Sequence, residues 1–335
     1  MSDEAAQADD PQTPEVDIKS THVWKEWKHS APLIGCRCGP TGRYVFASAM
    51  DSTIQRWDLD TDQHAVFGGH DSWLRAIGFS PDGKQTFTAD YDGKMCFWET
   101  ESESAKPTRE MAAHDGWVRW LSVHPDGKLL ATAGNDLLVK IWSTETTELL
   151  HTFPGHENHI YSTLFHPAGE WLLTGDLNGV VNQWEIASGK LVRSFDAKDL
   201  RHGVGGVRCL AVSPDGEQLA CGGLHKASNA LAGVQEPLVL IFDWESGEQL
   251  HTHEATEIDR GIARRVFYQA DGTLVGASGG GAGGFLLFWK TEKTEFHKFK
   301  LPATLHDMDL HPNGLDIVTA HHDGHIRISR MAAKA

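Results

Sequence analysis

No stretch of the 335 residues approaches the ~20 consecutive apolar positions that a membrane-spanning helix needs. The opening residues, MSDEAAQADDPQTPEVD, lack the positive region and the apolar core of a secretory signal, so the expected address is the cytoplasm and no membrane contact is expected. Cysteine is scarce. Cys36, Cys38, Cys96, Cys209 and Cys221 are odd in number and form no CxxC pair, which fits neither a disulfide framework nor a standard zinc site; reduced thiols filling strands are expected. Basic residues are outnumbered 46 to 30, and a formal charge of −16 disfavours generic attraction to nucleic acid. No GxxxxGK[ST] motif occurs. GGGAGG at 279–284 formally satisfies GxGxxG, but FLLFW follows it as a strand, whereas a dinucleotide fingerprint must open a helix; a long flexible loop is the expectation, and no cofactor.

What the chain does contain is a repeat. SPDGKQTFTADYDGKMCFW (80–98) returns as HPDGKLLATAGNDLLVKIW (124–142), HPAGEWLLTGDLNGVVNQW (166–184) and HPNGLDIVTAHHDGHIRIS (311–329). With the turn proline as marker, the units sit at Pro40, Pro81, Pro125, Pro167, Pro214 and Pro312, with Ala270 standing in for a proline. The intervals are 41, 44, 42, 47, 56 and 42 residues, the length of a four-stranded blade, and the units number seven. Within a unit, short runs rich in β-branched and aromatic residues, such as QTFTAD and KMCFW, are separated by Asp-Gly turns and read as antiparallel hairpins. The predicted fold is all-β, a seven-bladed propeller of four-stranded antiparallel blades.

Four residue types recur at fixed offsets. Unit two carries His70, Thr88, Asp92 and Trp98, and unit three His114, Thr132, Asp136 and Trp142. With GGHDSW and RWDL, these positions make the chain resemble the WD40-repeat family over about residues 21–335. The resemblance implies a hydrogen-bonded chain through the four side chains that ties outer strands to the inner one, and so a structural rather than a catalytic role. The other units depart from the pattern. Unit four has His156, Thr174 and Trp184 with Asn178 at the expected acid position, and unit one His29, Asp51 and Trp57 with Ala47 at the hydroxyl position. Unit five has Cys221 and Phe242, unit six Trp289 with Asp259 for the histidine, and unit seven Thr319 and Asp323 but Ser329. Two complete networks are expected. Residues 21–29, THVWKEWKH, stand as a spare fourth strand, and the resemblance implies that they complete blade seven; sealing the ring in this way removes exposed sheet edges. The first 20 residues, acidic and proline-containing, are expected to hang free as a disordered tail.

Function is expected on the face that carries the loops after the second and fourth strands, here called the top, where insertions at 224–237 and 279–284 and the HHDGH segment fall. Six residues before each marker stand Ile34, Arg75, Arg119, Tyr161, Arg208, Arg264 and His306, at the mouth of the innermost strand, with Trp73 and Trp117 two residues earlier in their units. Four arginines near one axis would focus a positive potential, and arginine beside tryptophan is a common binding anchor. This mouth is expected to bind an acidic or phosphorylated peptide of a partner protein, unless each arginine is spent on a salt bridge between blades. Partners are thus proteins, the chain being a monomer or part of a hetero-complex, and the expected role is a non-catalytic scaffold. The alternative is a propeller hydrolase or lyase with a channel metal, for which Asp307 and Asp309 are the close acidic pair on an inner strand. His321, His322 and His325 match no standard metal spacing and read as turn residues.

Overall fold

The computed structural model describes residues 16–104, 106–201, 205–225, 235–258, 260–281, 283–290 and 296–334. Seven sheets form, each of four antiparallel strands ordered from the axis outward as inner, second, third and outer. Blade two, for example, runs Leu74–Phe79, Gln85–Asp90, Lys94–Glu99 and Arg109–Ala112. The turn from inner to second strand needs one residue in the left-handed region. All seven blades put glycine there: Gly42, Gly83, Gly127, Gly169, Gly216, Gly272 and Gly314, with φ between 67 and 80°. The core lies between neighbouring sheets. Leu130 and Trp142 of blade three meet Phe87 and Phe97 of blade two, and Phe242 and Leu240 of blade five meet Phe195 of blade four.

The ring closes as expected: His22–Lys28 runs antiparallel to His325–Arg330 and supplies the fourth strand of blade seven. Asp17 and Ile18, placed in the expected tail, are held against the ring. Asp17 N–H donates to the Met331 carbonyl at 2.8 Å and Ile18 packs with Met331 and Leu315, because an apolar side chain there finds an apolar seat. Of the expected tail, residues 1–15 lie outside the described residues, as do 226–234 of the blade-five insertion, whose ends instead prolong Gln218–His225 and Glu236–Asp243. GGGAGG is not a long loop: Gly279 and Gly280 end the strand Thr273–Gly280 and Gly283 begins the next, Gly283–Lys290. A Cβ on Gly279 would fall 1.8 Å from the Leu305 carbonyl oxygen and one on Gly280 1.9 Å from that of Arg260, so glycine is required for close backbone approach.

The hydrogen-bonded chains also differ from expectation in their acid. In blade two the Trp98 indole N–H donates to Thr88 Oγ1 (2.8 Å), the Thr88 hydroxyl faces His70 Nε2 (2.7 Å), and His70 Nδ1 faces Asp90 Oδ2 (2.7 Å). The Asp90 carboxylate can only accept, so His70 Nδ1–H donates to it, while the Thr88 hydroxyl, which accepts from Trp98, also bonds Nε2. Asp92 is exposed in the turn and only its backbone N–H bonds to Asp90. Blade four is complete for the same reason: His156 pairs with Asp176 at 2.8 Å, not with Asn178. In blade three Gly134 occupies the Asp90 position, and a Cβ there would fall 2.1 Å from His114 Nδ1 and 2.4 Å from Asp136 Oδ1. The side-chain-free glycine lets Asp136 reach back from the turn to His114 at 2.9 Å. Burial, outweighing Asp136, lowers the His114 pKa.

In blade seven His321 takes the acid position and sits directly on Thr319 at 2.8 Å, while Asp323 turns to Arg327. Ser329 Oγ and, in blade six, Trp289 Nε1 have no hydrogen-bond partner among the described residues, and Asp259 lies outside them. In blade one His29 reaches Asp51 at 2.7 Å. Asp90→Ala is therefore expected to cost about 3 kcal/mol, since a fully buried acceptor of three N–H groups is lost. Asp92→Ala is expected to cost less than about 0.5 kcal/mol. Urea midpoints at unchanged slope compare the two, and equal losses would return Asp92 to the chain.

Candidate binding site at the propeller mouth

Every inner strand breaks register at one residue. Pairing jumps from Leu33 to Gly35, Leu74 to Ala76, Val118 to Trp120, Ile160 to Ser162, Val207 to Cys209, Ala263 to Arg265 and Leu305 to Asp307. The skipped residues are Ile34, Arg75, Arg119, Tyr161, Arg208, Arg264 and His306, the set picked out by sequence offset. A bulged residue is unpaired and its side chain is re-aimed, which accounts for one such residue per blade facing the axis. Ile34 is buried.

Arg75, Arg119, Tyr161, Arg208 and Arg264 line one pocket of about 40 Å³, together with Tyr91 and Trp120. The last two were not anticipated. Trp120 immediately follows a bulge, and Tyr91 follows a second strand, where no offset rule had been sought. The walls form a stack. Tyr91 lies parallel to Trp117 (4.4 Å, 8°), the Arg119 guanidinium sits 4.7 Å from the Trp117 ring and 4.4 Å from that of Tyr161, and Arg208 lies 4.2 Å from the Tyr161 ring. Such cation–π contacts hold guanidinium planes in place without neutralising them. Arg119 Nε donates to Asn135 and Nη1 to Tyr161 Oη, and Arg75 Nη2 donates to the His306 carbonyl. Trp73 is 47% exposed and does not line the pocket.

The mouth is strongly positive. Among the described residues, no carboxylate lies in ion-pair contact with Arg75, Arg119 or Arg264. Burial, then repulsion from Arg75 and Arg208, pushes the Arg264 pKa down to about 10, so it stays protonated at neutral pH. Burial, then Arg264 and Arg75, pushes His306 down to about 3, which leaves it neutral. Deeper in the channel, Arg37 Nη1 donates to Asp307 Oδ2 at 2.6 Å and Arg265 lies 4.0 Å from Asp309. Both guanidiniums face the Trp120 ring, at 5.2 and 4.6 Å. The acidic pair noted for a channel metal is thus engaged by arginines.

The histidines of HHDGH do not converge. His321 is fully buried on Thr319, His322 Nδ1 faces His306 Nε2 at 3.2 Å, and His325 Nδ1 lies 3.1 Å from Asp323. Residues of metal-binding type come together elsewhere, at the end of the blade-five hairpin, where ligand atoms of His225, Glu236 and Glu254 lie within 4.8 Å of one another. There His225 Nε2 already pairs with Glu236 Oε2 at 3.3 Å.

The sequence model of the WD domain, G-beta repeat matches residues 20–58, 62–99, 105–143, 147–185 and 189–226, more than half of the chain. The chain belongs to the WD40-repeat family. Each of the first four matches takes an outer strand with the three following strands of the next blade, so the first begins on the closing strand, and the fifth stops after the second strand of blade five. The matches end at residue 226, so the third and outer strands of blade five, blade six and the inner three strands of blade seven lie outside them, though they keep the four-stranded form. This WD40 protein is 30% identical over 81 residues to nuclear distribution protein PAC1 of Arthroderma otae, a match covering 23% of this chain and 18% of that protein. It is 32% identical over 73 residues to periodic tryptophan protein 2 of Arabidopsis thaliana, covering 22% and 8%. To transcription initiation factor TFIID subunit 5 of Caenorhabditis elegans it is 26% identical over 186 residues, covering 55% and 28%. The matches span less than a third of each relative. No helix among the described residues is long and apolar enough to cross a membrane.

Proposed function

We propose that this WD40 propeller is a non-catalytic interaction scaffold in the cytoplasm whose top-face mouth takes the acidic or phosphorylated side chain of a partner protein. The observation that carries this reading is the convergence of Arg75, Arg119, Arg208 and Arg264 on one pocket, three of them without a carboxylate in ion-pair contact among the described residues. A pocket of about 40 Å³ admits a head group rather than a main chain. The remainder of the peptide would lie over the rim, where Trp117 is 42% and Trp73 47% exposed. Prearranged guanidiniums favour carboxylate and phosphate, with which they form paired N–H donations. One relative is named as a subunit of a transcription factor, which supports membership of a hetero-complex here.

The test is affinity for arrayed acidic and phosphorylated peptides. Arg119→Glu and Arg208→Glu are each expected to weaken the best binder on the order of 100-fold, because a desolvated charge partner is replaced by a repelling one. Unchanged affinity for every acidic peptide would remove the mouth from the scaffold's binding surface.

A further inference from the structure

A second surface, independent of the mouth, carries the opposite charge. Between blades four and five, at the end of the ring away from the mouth, lies a groove of about 600 Å³. Trp171, Val192 and Trp244 supply its apolar surface, and Glu217, Asp243 and Glu245 its carboxylates. None of the three acids sits in an ion pair among the described residues. The one guanidinium in the groove, that of Arg193, is spent on structure: it spans the blades to the Trp244 and Glu245 carbonyls and to Gln183 Oε1.

Trp244 is not part of the repeat pattern. Two residues after the third-strand tryptophan position, blades two and three place Thr100 and Thr144, both buried, the first bonded to Thr86 and the second to the Gly127 carbonyl. Blade five has Phe242 where blades one to four and six have tryptophan and puts an indole two residues on, only partly buried, stacked on His166 at 4.2 Å. Beside the groove, the outer strand of blade four exposes Leu191 (48%) and Val192 (50%).

We infer that this groove docks an extended segment of a partner protein in which an apolar side chain is flanked by lysine or arginine. The apolar residue seats between the Trp171 and Trp244 side chains and the flanking cations meet Glu217, Asp243 and Glu245. Charge complementarity sets the occupant: a net acidic groove on a chain of formal charge −16 repels an acidic segment and attracts a basic one. Together with the positive mouth, the scaffold then holds two partners of opposite character at opposite ends of the ring.

The probe is a fluorescein-labelled peptide alternating lysine with leucine, with a peptide alternating lysine with glycine as the equal-charge control, both followed by anisotropy. The lysine–leucine peptide is expected to bind saturably and at least about tenfold tighter than the control. Glu217→Gln combined with Glu245→Gln, and separately Trp244→Thr, the residue blades two and three carry, should each weaken it about tenfold. Arg119→Glu should leave it unchanged, which separates failure here from failure at the mouth. A lack of saturation up to about 1 mM, equal binding of the control, or undiminished binding to the double variant overturns the proposal. The double variant changes only rim side chains and decides the matter even where Trp244→Thr fails to fold.

Discussion

A chain lacking residues 16–28 is expected to show no cooperative thermal transition. The closing strand His22–Lys28 makes six register pairs with His325–Arg330, and each backbone hydrogen bond lost contributes on the order of 1 kcal/mol. Arg327, only 4% exposed, would lose Glu26 (2.9 Å) and keep Asp323 alone. The Trp27 ring, stacked 6.2 Å from Trp57, would leave blade one as well, and Ile18 would leave the cluster around Met331. Summed, these terms are comparable with the whole stability of an ordinary domain, about 5–15 kcal/mol. The truncated ring also presents the free edge of His325–Arg330, an invitation to pair with other chains. Differential scanning calorimetry of the truncated protein should therefore give aggregation or a featureless trace, and addition of a synthetic peptide covering residues 16–31 should restore a transition. A soluble truncated protein that melts cooperatively near the full-length temperature would show that closure is not what holds the ring.

The fold was legible because its repeat is written in residues whose backbone demands are severe. A left-handed turn position after every inner strand selects glycine, and the interval between turns counts the strands. The mouth was legible for a related reason: the bulge lies at a constant offset from that turn, so the residue facing the axis can be counted without knowing that a bulge exists. The acid of the hydrogen-bonded chains was misread where two candidates stood two residues apart. In TAD and TGD the first acid after threonine already reaches the histidine, and only TAG, with glycine, needs the second. The glycine-rich hairpin was misread because composition does not distinguish glycine needed for flexibility from glycine needed for lack of a side chain. Tyr91 and Trp244 stand at positions that differ from blade to blade, and no periodic reading could single them out.

Arg37→Met is expected to destabilise the propeller by about 3–5 kcal/mol, more than an ordinary core truncation. Asp307 is 1% exposed, accepts from Arg37 at 2.6 Å and from the Cys36 N–H at 3.3 Å, and its Oδ1 has no partner among the described residues. Burial alone would raise its pKa, but the Arg37, Arg265 and Arg75 guanidiniums outweigh burial and hold it below the usual carboxylate value. Without Arg37 a buried carboxylate loses its nearest cation, and that penalty exceeds what the pair contributes when intact. The double variant Arg37→Met with Asp307→Leu should thus recover most of the loss, to within about 2 kcal/mol of the parent. The sign of the pH dependence follows. In the parent, a carboxyl with a lowered folded-state pKa contributes stability above its unfolded pKa of about 3.9 and loses it as pH falls through the folded value. In Arg37→Met the same group titrates higher and sheds its buried charge sooner, so the gap between variant and parent should narrow from pH 7 toward pH 4. Urea unfolding across that range measures the gap, and a constant difference would mean that Arg37 supports the channel through packing on Trp120 rather than through charge.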